Sequence, residues 1–388
     1  MKKTVIRMLA LMMALVLCLG LAACGAAPDQ DETKKTKKTT TTTENVEDTT
    51  NEGTADTTVV GVNTTTTTTK KNDTTTTSYT KNVQGGIVHT TEATTTTTTR
   101  GQPKNPIRIL AIGHSFAVDA LRAHMWEMLH GAGYDYVVVA YLFTPSCSLN
   151  EQWDRMQGKA DHEQYCKTDP YTGQWSYSGP DQGSPDNKVQ YAIRDEKWDI
   201  ITLQPDPDYG GGLKYWPNVD NDYKNLGNIV NWIYKNKTNS KAKLYYHMTW
   251  SFANDCALWC FGKNSPFKGD QLLHYRSFVE ATREYVLKPY NSYFAGVIPA
   301  GTSIQNARSS RLGDTFNMPG NNDPKADGYH LNDKGDYVAA LTWYAVITGK
   351  SAKTVKYYGQ YKADFDILAE AVDNAVAKWD DVTPSSYQ

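Results

Sequence analysis

The chain has 388 residues, 21% of them charged, and a formal net charge of −2 at pH 7. This near-neutral balance, without a Lys/Arg cluster interleaved with aromatic residues, argues against nucleic acid as a partner. Composition changes sharply along the chain, because residues 25–104 are rich in Thr, Lys and Asp, whereas all ten tryptophans lie in the part that follows. We therefore expect a leader, a linker and one domain.

Residues 1–23 predict a secretory signal peptide. A basic start, Lys2 to Arg7, precedes an apolar stretch shorter than the roughly 20 residues that span a bilayer. The sequence Leu-Ala-Ala-Cys at 21–24 resembles a bacterial lipobox, since a plain signal peptidase site would place a small residue where Leu21 stands. We expect lipidation of Cys24, which would anchor the protein on the extracellular face of the bacterial membrane through the lipid alone.

Residues 24–104 predict a flexible tether. Beyond Cys24 they contain runs of threonine and few large apolar side chains. Such a composition buries too little apolar surface to offset the conformational entropy lost on ordering. We expect a disordered linker that holds the domain away from the membrane, and glycosylation of this stalk remains open.

Residues 105–388, about 280 residues, are enough for one large α/β domain. A polar excursion around 169–173 predicts a hairpin. Predicted strands, in chain order, cover Ile107–Ile112, Tyr136–Phe143, Trp198–Gln204, Lys243–Trp250 and Phe294–Ala300. Predicted helices begin near Ser115, Tyr191, Asp222, Gln271 and Lys334, the last of these running to Thr348. This alternation favours a mostly parallel sheet with helices on both faces, in which ligands bind beyond the carboxyl ends of the strands.

The sequence GHSF at 113–116 joins the first strand to the first helix. Ser115 could cap this helix or act as a nucleophile, and its neighbours do not decide between the two. A nucleophilic serine needs a base and a group that orients the base. The segment DGYH at 327–330 contains both, because a carboxylate three residues before a histidine can reach its Nδ1 while Nε2 faces outward. GHSFA does not match the G-x-S-x-G elbow of α/β-hydrolases.

These two motifs together resemble the SGNH (GDSL-like) hydrolase superfamily. More closely, the ordered series ILAIGHSFAVDAL, CSLNEQW, WDIITLQ, YYHMTW, IPAGTSIQNAR and DGYHLNDKGDYVAALTWY is similar to the bacterial DUF4886 family, from residue 105 to about residue 350. The resemblance implies the SGNH hydrolase fold, which is a flavodoxin-like three-layer α/β/α fold with a mostly parallel sheet. It also implies serine-dependent ester hydrolysis with Ser115 as nucleophile, His330 as base and Asp327 as the orienting carboxylate.

The resemblance further implies three oxyanion donors. The backbone N–H of Ser115 is the first. Relatives usually have Gly-Gly before Cys-Ser-Leu, whereas this chain has Pro145-Ser146; proline has no N–H, so we expect Ser146 to donate, without the conformational freedom of glycine. Gln204 is the expected amide, although Pro205 stands where relatives often have a second Gln.

His114 and Trp250 are the expected substrate contacts, with structural roles as alternatives. His247 lies within a predicted strand, which favours a core histidine. Four cysteines in the domain allow three disulfide pairings, and free buried thiols or a metal pair at 256 and 260 are the alternatives. They are Cys147, Cys166, Cys256 and Cys260. No ligand set with metal-binding spacing accompanies them, and we expect neither a metal nor a cofactor.

We therefore expect an extracellular serine esterase that removes acetyl groups from plant or cell-wall polysaccharide. An exported domain has little access to cytosolic esters, and its many aromatic residues suit a surface that stacks on sugar rings. The alternative is a non-catalytic glycan-binding module on a degenerate SGNH fold, which the departures at Pro145, Ser146 and Pro205 would support.

Overall fold

The computed structural model of the chain describes residues 102–178, 187–208, 211, 214–216 and 222–388, together with the backbone of two strands in the linker. These strands, β1 (Asn63–Thr69) and β2 (Thr74–Thr80), pair antiparallel. The rest of the predicted linker, up to residue 101, lies outside the described residues. The predicted signal peptide and Cys24 lie outside the described residues. Within the described residues, no helix is both long and apolar enough to cross a membrane.

A seven-stranded sheet forms the centre of the unit Pro103–Gln388. Its strands are β3 (Pro106–Ile112), β4 (Tyr136–Phe143), β5 (Gln164–Thr168), β6 (Trp175–Ser178), β7 (Ile200–Leu203), β8 (Lys243–His247) and β9 (Phe294–Ile298). They are arranged in the order β6-β5-β4-β3-β7-β8-β9. The five strands β4, β3, β7, β8 and β9 are parallel, and β5 and β6 add an antiparallel edge. The mostly parallel sheet is confirmed.

The parallel strands have the flavodoxin-like order, in which the chain moves from β3 to β4 on one side and then returns to β7 on the other. The carboxyl ends of β3 and β7 are therefore neighbours at the point where the strand order reverses. A ligand-binding crevice forms at such a point, because the connections from adjacent strands leave in opposite directions.

Helices cover both faces of the sheet. In chain order they are α1 (Ser115–Leu121), α2 (Met125–Gly131), α3 (Leu149–Met156), α4 (Val189–Asp195), α5 (Leu226–Asn236), α6 (Gln271–Ala281), α7 (Lys288–Tyr290), α8 (Ala300–Arg308), α9 (Asp333–Thr348) and α10 (Phe365–Ala377). One core contains side chains of α1, α2, α8, α9 and α10, and the other contains side chains of α3 to α6. The predicted three-layer α/β architecture is confirmed.

Strand β3 shows why both faces are covered. Ile107 and Ile109 belong to one core, whereas Leu110 and Ile112 belong to the other. A strand that is apolar on both sides can be buried only between two layers of helices. The polar segment around residues 169–173 forms the predicted hairpin between β5 and β6, and Gly173 has a positive φ of 73°.

Candidate active site

The loop from β3 into α1 brings Ser115 to the carboxyl edge of the sheet. His114, not Ser115, caps the helix: its Nδ1 accepts a hydrogen bond from the N–H of Phe116 at 3.3 Å. Its Nε2 donates to the carbonyl oxygen of Pro205 at 2.8 Å. Burial lowers the pKa of His114 to about 3, so the ring is neutral. The expected substrate contact by His114 is wrong, because its ring is buried and both nitrogens are already bonded within the protein.

The turn at 327–330 joins a carboxylate to a histidine as the spacing predicts. Asp327 Oδ2 lies 2.9 Å from His330 Nδ1, and Asp327 Oδ1 accepts the backbone N–H groups of His330 and Tyr329 at 2.8 and 3.1 Å. Gly328 has a φ of 67°, and a Cβ there would lie 2.8 Å from the Cβ of Cys256. The turn therefore requires glycine, both for its backbone conformation and for its close approach to the neighbouring loop.

The pKa values of the pair move apart. Burial alone would lower the pKa of His330, but the charge of Asp119 and the hydrogen bond and charge of Asp327 outweigh burial and raise it. Burial alone would raise the pKa of Asp327, but the hydrogen bonds and charge of His330 outweigh burial and lower it. The carboxylate is thus ionised near neutral pH, and the imidazole is a stronger base than usual.

Trp250 is buried and contacts both the GHSF turn and the Asp327–His330 turn. Its indole stacks on Phe116 with ring centroids 4.4 Å apart, and its Nε1 donates to the carbonyl oxygen of Tyr329 at 3.0 Å. Phe116 in turn lies 5.7 Å from the ring of His330. Trp250 is 0% exposed, so its expected role as a sugar platform is wrong. It packs the first turn of α1 against the Asp327–His330 turn.

Ser115 and His330 therefore lie on packed neighbouring elements. Neither Ser115 Oγ nor His330 Nε2 makes a hydrogen bond with any described residue, and the His330 side chain is 12% exposed. Both atoms are thus available to a ligand. Hydrogen bonds between such groups are often long until a substrate binds.

The loop after β4 adopts a backbone conformation that glycine favours. Ser146 has a φ of 45° and an exposed side chain. The left-handed conformation costs a residue with a Cβ about 1 kcal/mol. Serine at this position therefore imposes local strain but does not prevent the conformation.

Gln204 follows β7 and packs against the end of β3. A Cβ on Gly113 would lie 2.6 Å from Gln204 Cδ, so a larger residue there would displace the Gln204 side chain. Gln204 Oε1 lies 3.0 Å from Nδ1 of His247, while Gln204 Nε2 is buried and has no hydrogen-bond partner among the described residues. Burial lowers the pKa of His247 to about 3. Its neutral ring donates from Nδ1, which turns the amide nitrogen of Gln204 away from His247.

An unpartnered buried amide carries a desolvation cost of about 1–3 kcal/mol, and such groups in native proteins call for an explanation. Gln204 Nε2 is held beside the turn that begins α1, where it could donate to a ligand. His247, which the sequence assigns only to the core, is the residue that orients it.

Asp119 is a second residue that the sequence interpretation missed. It lies four residues after Ser115, on the same side of α1, and its Oδ2 accepts the N–H of Leu331 at 3.1 Å. Burial raises the pKa of Asp119 to about 6 and that of the neighbouring Asp336 to about 10. The sequence contained one signal for Asp119: its i, i+4 spacing from Ser115, which places both residues on the same side of a helix.

The four cysteines of the domain are buried, and Cys166, Cys256 and Cys260 are free thiols. Cys256 Sγ donates to the carbonyl oxygen of Asp327 at 3.6 Å, and Cys260 Sγ lies 3.4 Å from Asp208 Oδ1. Burial raises the pKa of both thiols. The described residues contain no group of three or more His, Cys, Asp or Glu side chains that could hold a metal ion.

The fold and site define a three-layer α/β protein with a serine and an Asp–His pair at the switch point of its sheet. The family model described as Domain of unknown function (DUF4886) matches residues 108–370, and the chain belongs to this family. It is similar to the crystal structure of a DUF4886 family protein from Bacteroides uniformis ATCC 8492, with 28% identity and a TM-score of 0.61. That match covers 72% of this chain and 98% of the other. No curated protein matches the chain.

Proposed function

We propose that the protein is an extracellular serine esterase of the SGNH type that removes acetyl groups from carbohydrate. The observation that carries the proposal is the packing of the Asp327–His330 pair against the first turn of the helix that begins at Ser115. A base, its orienting carboxylate and a hydroxyl beside them are the groups that ester hydrolysis through an acyl-enzyme requires.

In the first half of the proposed reaction, Ser115 Oγ attacks the ester carbonyl carbon and its proton moves to His330 Nε2. The bond from this carbon to the sugar oxygen breaks, and His330 gives the proton to this oxygen, which departs as a hydroxyl group. Water then attacks the acetyl-Ser115 ester with His330 again as base, releasing acetate and regenerating the serine. Asp327 holds Nδ1–H and stabilises the imidazolium in both halves.

Charge that develops on the carbonyl oxygen needs fixed donors. We assign this role to the backbone N–H groups of Ser115 and Ser146 and to Nε2 of Gln204, the buried amide that has no other partner in the described part of the chain. Donors that are already oriented stabilise the transition state without a reorganisation cost. The N-terminus of α1 adds a favourable partial positive charge at the same place.

Plant or cell-wall polysaccharide is the proposed source of the substrate. The predicted signal peptide and the lipid on Cys24 would hold the domain outside the cell, where acetylated glycans are the accessible esters. The rival proposal, a glycan-binding module without turnover, is supported by the departures at Pro145, Ser146 and Pro205. The two proposals differ in whether Ser115 reacts.

Hydrolysis of p-nitrophenyl acetate by the full chain tests this difference. We expect Ser115→Ala to lower kcat at least about a thousandfold. Ser240→Ala, which removes an exposed serine between α5 and β8, is the matched control and should leave kcat unchanged. A fluorophosphonate should label the wild-type protein and not Ser115→Ala. Equal hydrolysis by wild type and Ser115→Ala would exclude the esterase, as would labelling at another serine.

A further inference from the structure

We propose that Trp259, supported by Trp216, forms a stacking subsite for a sugar ring of a polysaccharide substrate, beside the Ser115 site. Trp259 is 48% exposed, the only tryptophan among the exposed large apolar side chains of the described residues. Trp216 is half-buried, and its ring lies 5.6 Å from that of Trp259 at an angle of 62°. This indole pair replaces Trp250, which is buried, as the aromatic surface for sugar.

The indole pair lies at the same edge of the sheet as Ser115. Trp216 belongs to the loop after β7, and Trp259 belongs to the loop after β8. In a parallel sheet these loops and the β3–α1 loop all leave from the carboxyl edge. The pair is therefore on the side from which a substrate would enter.

The loop that carries Trp259 packs directly against the Asp327–His330 turn. Ala253 N–H donates to the carbonyl oxygen of Gly328 at 2.8 Å, and Cys256 Sγ donates to that of Asp327. A tight turn then presents Trp259, because Gly262 N–H donates to the carbonyl oxygen of Leu258 at 2.7 Å. This loop fixes the position of Trp259 relative to His330.

The half-buried member of the pair is anchored in the core. Trp216 contacts Phe267 with ring centroids 6.2 Å apart, and Phe267 is 1% exposed. Trp216 in turn meets Trp259 edge to face, which restricts the rotation of the exposed indole. A rigid aromatic surface binds with little loss of conformational entropy.

The exposed surface of Trp259 is better suited to one sugar ring than to a protein partner. Other exposed large apolar residues include Tyr191, Tyr234 and Val376 on α4, α5 and α10. Leu272 on α6 and Met318, whose N–H donates to the carbonyl oxygen of His330, are aliphatic and offer no second flat ring beside Trp259. A stable protein interface buries roughly 800 Å² on each partner. An indole presents a flat, electron-rich face, and the apolar C–H face of a pyranose ring can stack on it.

Because this inference rests on the proposed function, its test compares a substrate with a sugar and one without. In the full chain, we expect Trp259→Ala to lower kcat/KM on acetylated xylan about tenfold through KM, and to leave kcat/KM on p-nitrophenyl acetate within twofold. Trp259→Tyr should recover part of the loss. Tyr234→Ala, an exposed aromatic on α5, is the control and should change neither rate.

Three outcomes would overturn the subsite: an equal loss on both esters, no loss on xylan, or a loss that Tyr234→Ala reproduces. If the wild type hydrolyses neither ester, the proposed function fails, and binding becomes the readout. Retardation of the wild type in gels containing acetylated xylan or acetylated glucomannan, lost in Trp259→Ala, would then still support the subsite. Equal mobility of the two proteins in both gels would reject it.

Discussion

The contact between Gln204 and His247 allows the proposed oxyanion site to be separated from the stability of the fold. Gln204→Met removes the amide while keeping a side chain of similar volume. His247→Phe keeps the aromatic contact with Trp343, whose ring centroid lies 5.1 Å away, and removes the donor to Gln204 Oε1. The double variant removes both polar partners at once.

The free energy of unfolding and kcat should respond differently to these variants. Each single variant leaves a buried polar atom without its partner, which lowers the free energy of unfolding by about 1–3 kcal/mol. The double variant removes both partners and should recover most of that loss. Removing one oxyanion donor lowers kcat about 10²–10³-fold. We expect this fall in Gln204→Met and in the double variant, and a smaller fall in His247→Phe, where the amide remains but is no longer oriented.

The assay combines kcat and KM on p-nitrophenyl acetate with chemical unfolding. Tyr275→Phe is the control, because it removes a buried hydrogen bond of 3.0 Å to Thr302 away from the site. It should lower the free energy of unfolding by about 1 kcal/mol and leave kcat unchanged. A double variant with both wild-type stability and wild-type kcat would refute the role of Gln204 in the reaction.

Two further predictions follow from Asp119 and Ser146. Asp119→Asn removes a negative charge that raises the pKa of His330, and the imidazole must be neutral to accept a proton. The acid limb of the kcat/KM profile should therefore move to lower pH, and a shift to higher pH would contradict the argument. Ser146→Gly relieves a φ of 45° and should raise the free energy of unfolding by about 0.5–1 kcal/mol in urea titrations, whereas Ser146→Val should lower it. Destabilisation by glycine would show that this loop is not strained.

The layered fold follows from patterns that are local in the sequence. Short, continuously apolar strands that alternate with amphipathic helices predict a buried parallel sheet, and β3, β4, β7, β8 and β9 confirm it. The resemblance to the DUF4886 family is likewise confirmed. Element ends were less predictable, since residues 248–250 lie outside β8. Four helices were not predicted, namely α3, α7, α8 and α10. The ends of helices and strands depend on tertiary contacts with neighbouring elements.

Some features of the site are also local. The Asp327–His330 bond needs only a three-residue spacing and a glycine, and both are visible in the sequence. Exposure is not a local property: Trp250 and Trp259 both follow β8, yet one is buried under Phe116 and the other faces solvent. No spacing rule separates them, because burial depends on what the rest of the chain places above each indole.

Local patterns were sufficient to predict the class of fold and two sets of candidate groups, Ser115 and the Asp327–His330 pair, which are more than two hundred residues apart. The surroundings of these groups depend on contacts between distant segments. The tertiary structure placed Asp119 against the turn after His330, paired His247 with Gln204 across adjacent strands, and gave Ser146 a conformation typical of glycine. Side-chain pairing and burial arise between neighbouring elements, whereas strand and helix patterns arise within one segment, so only the patterns can be read locally.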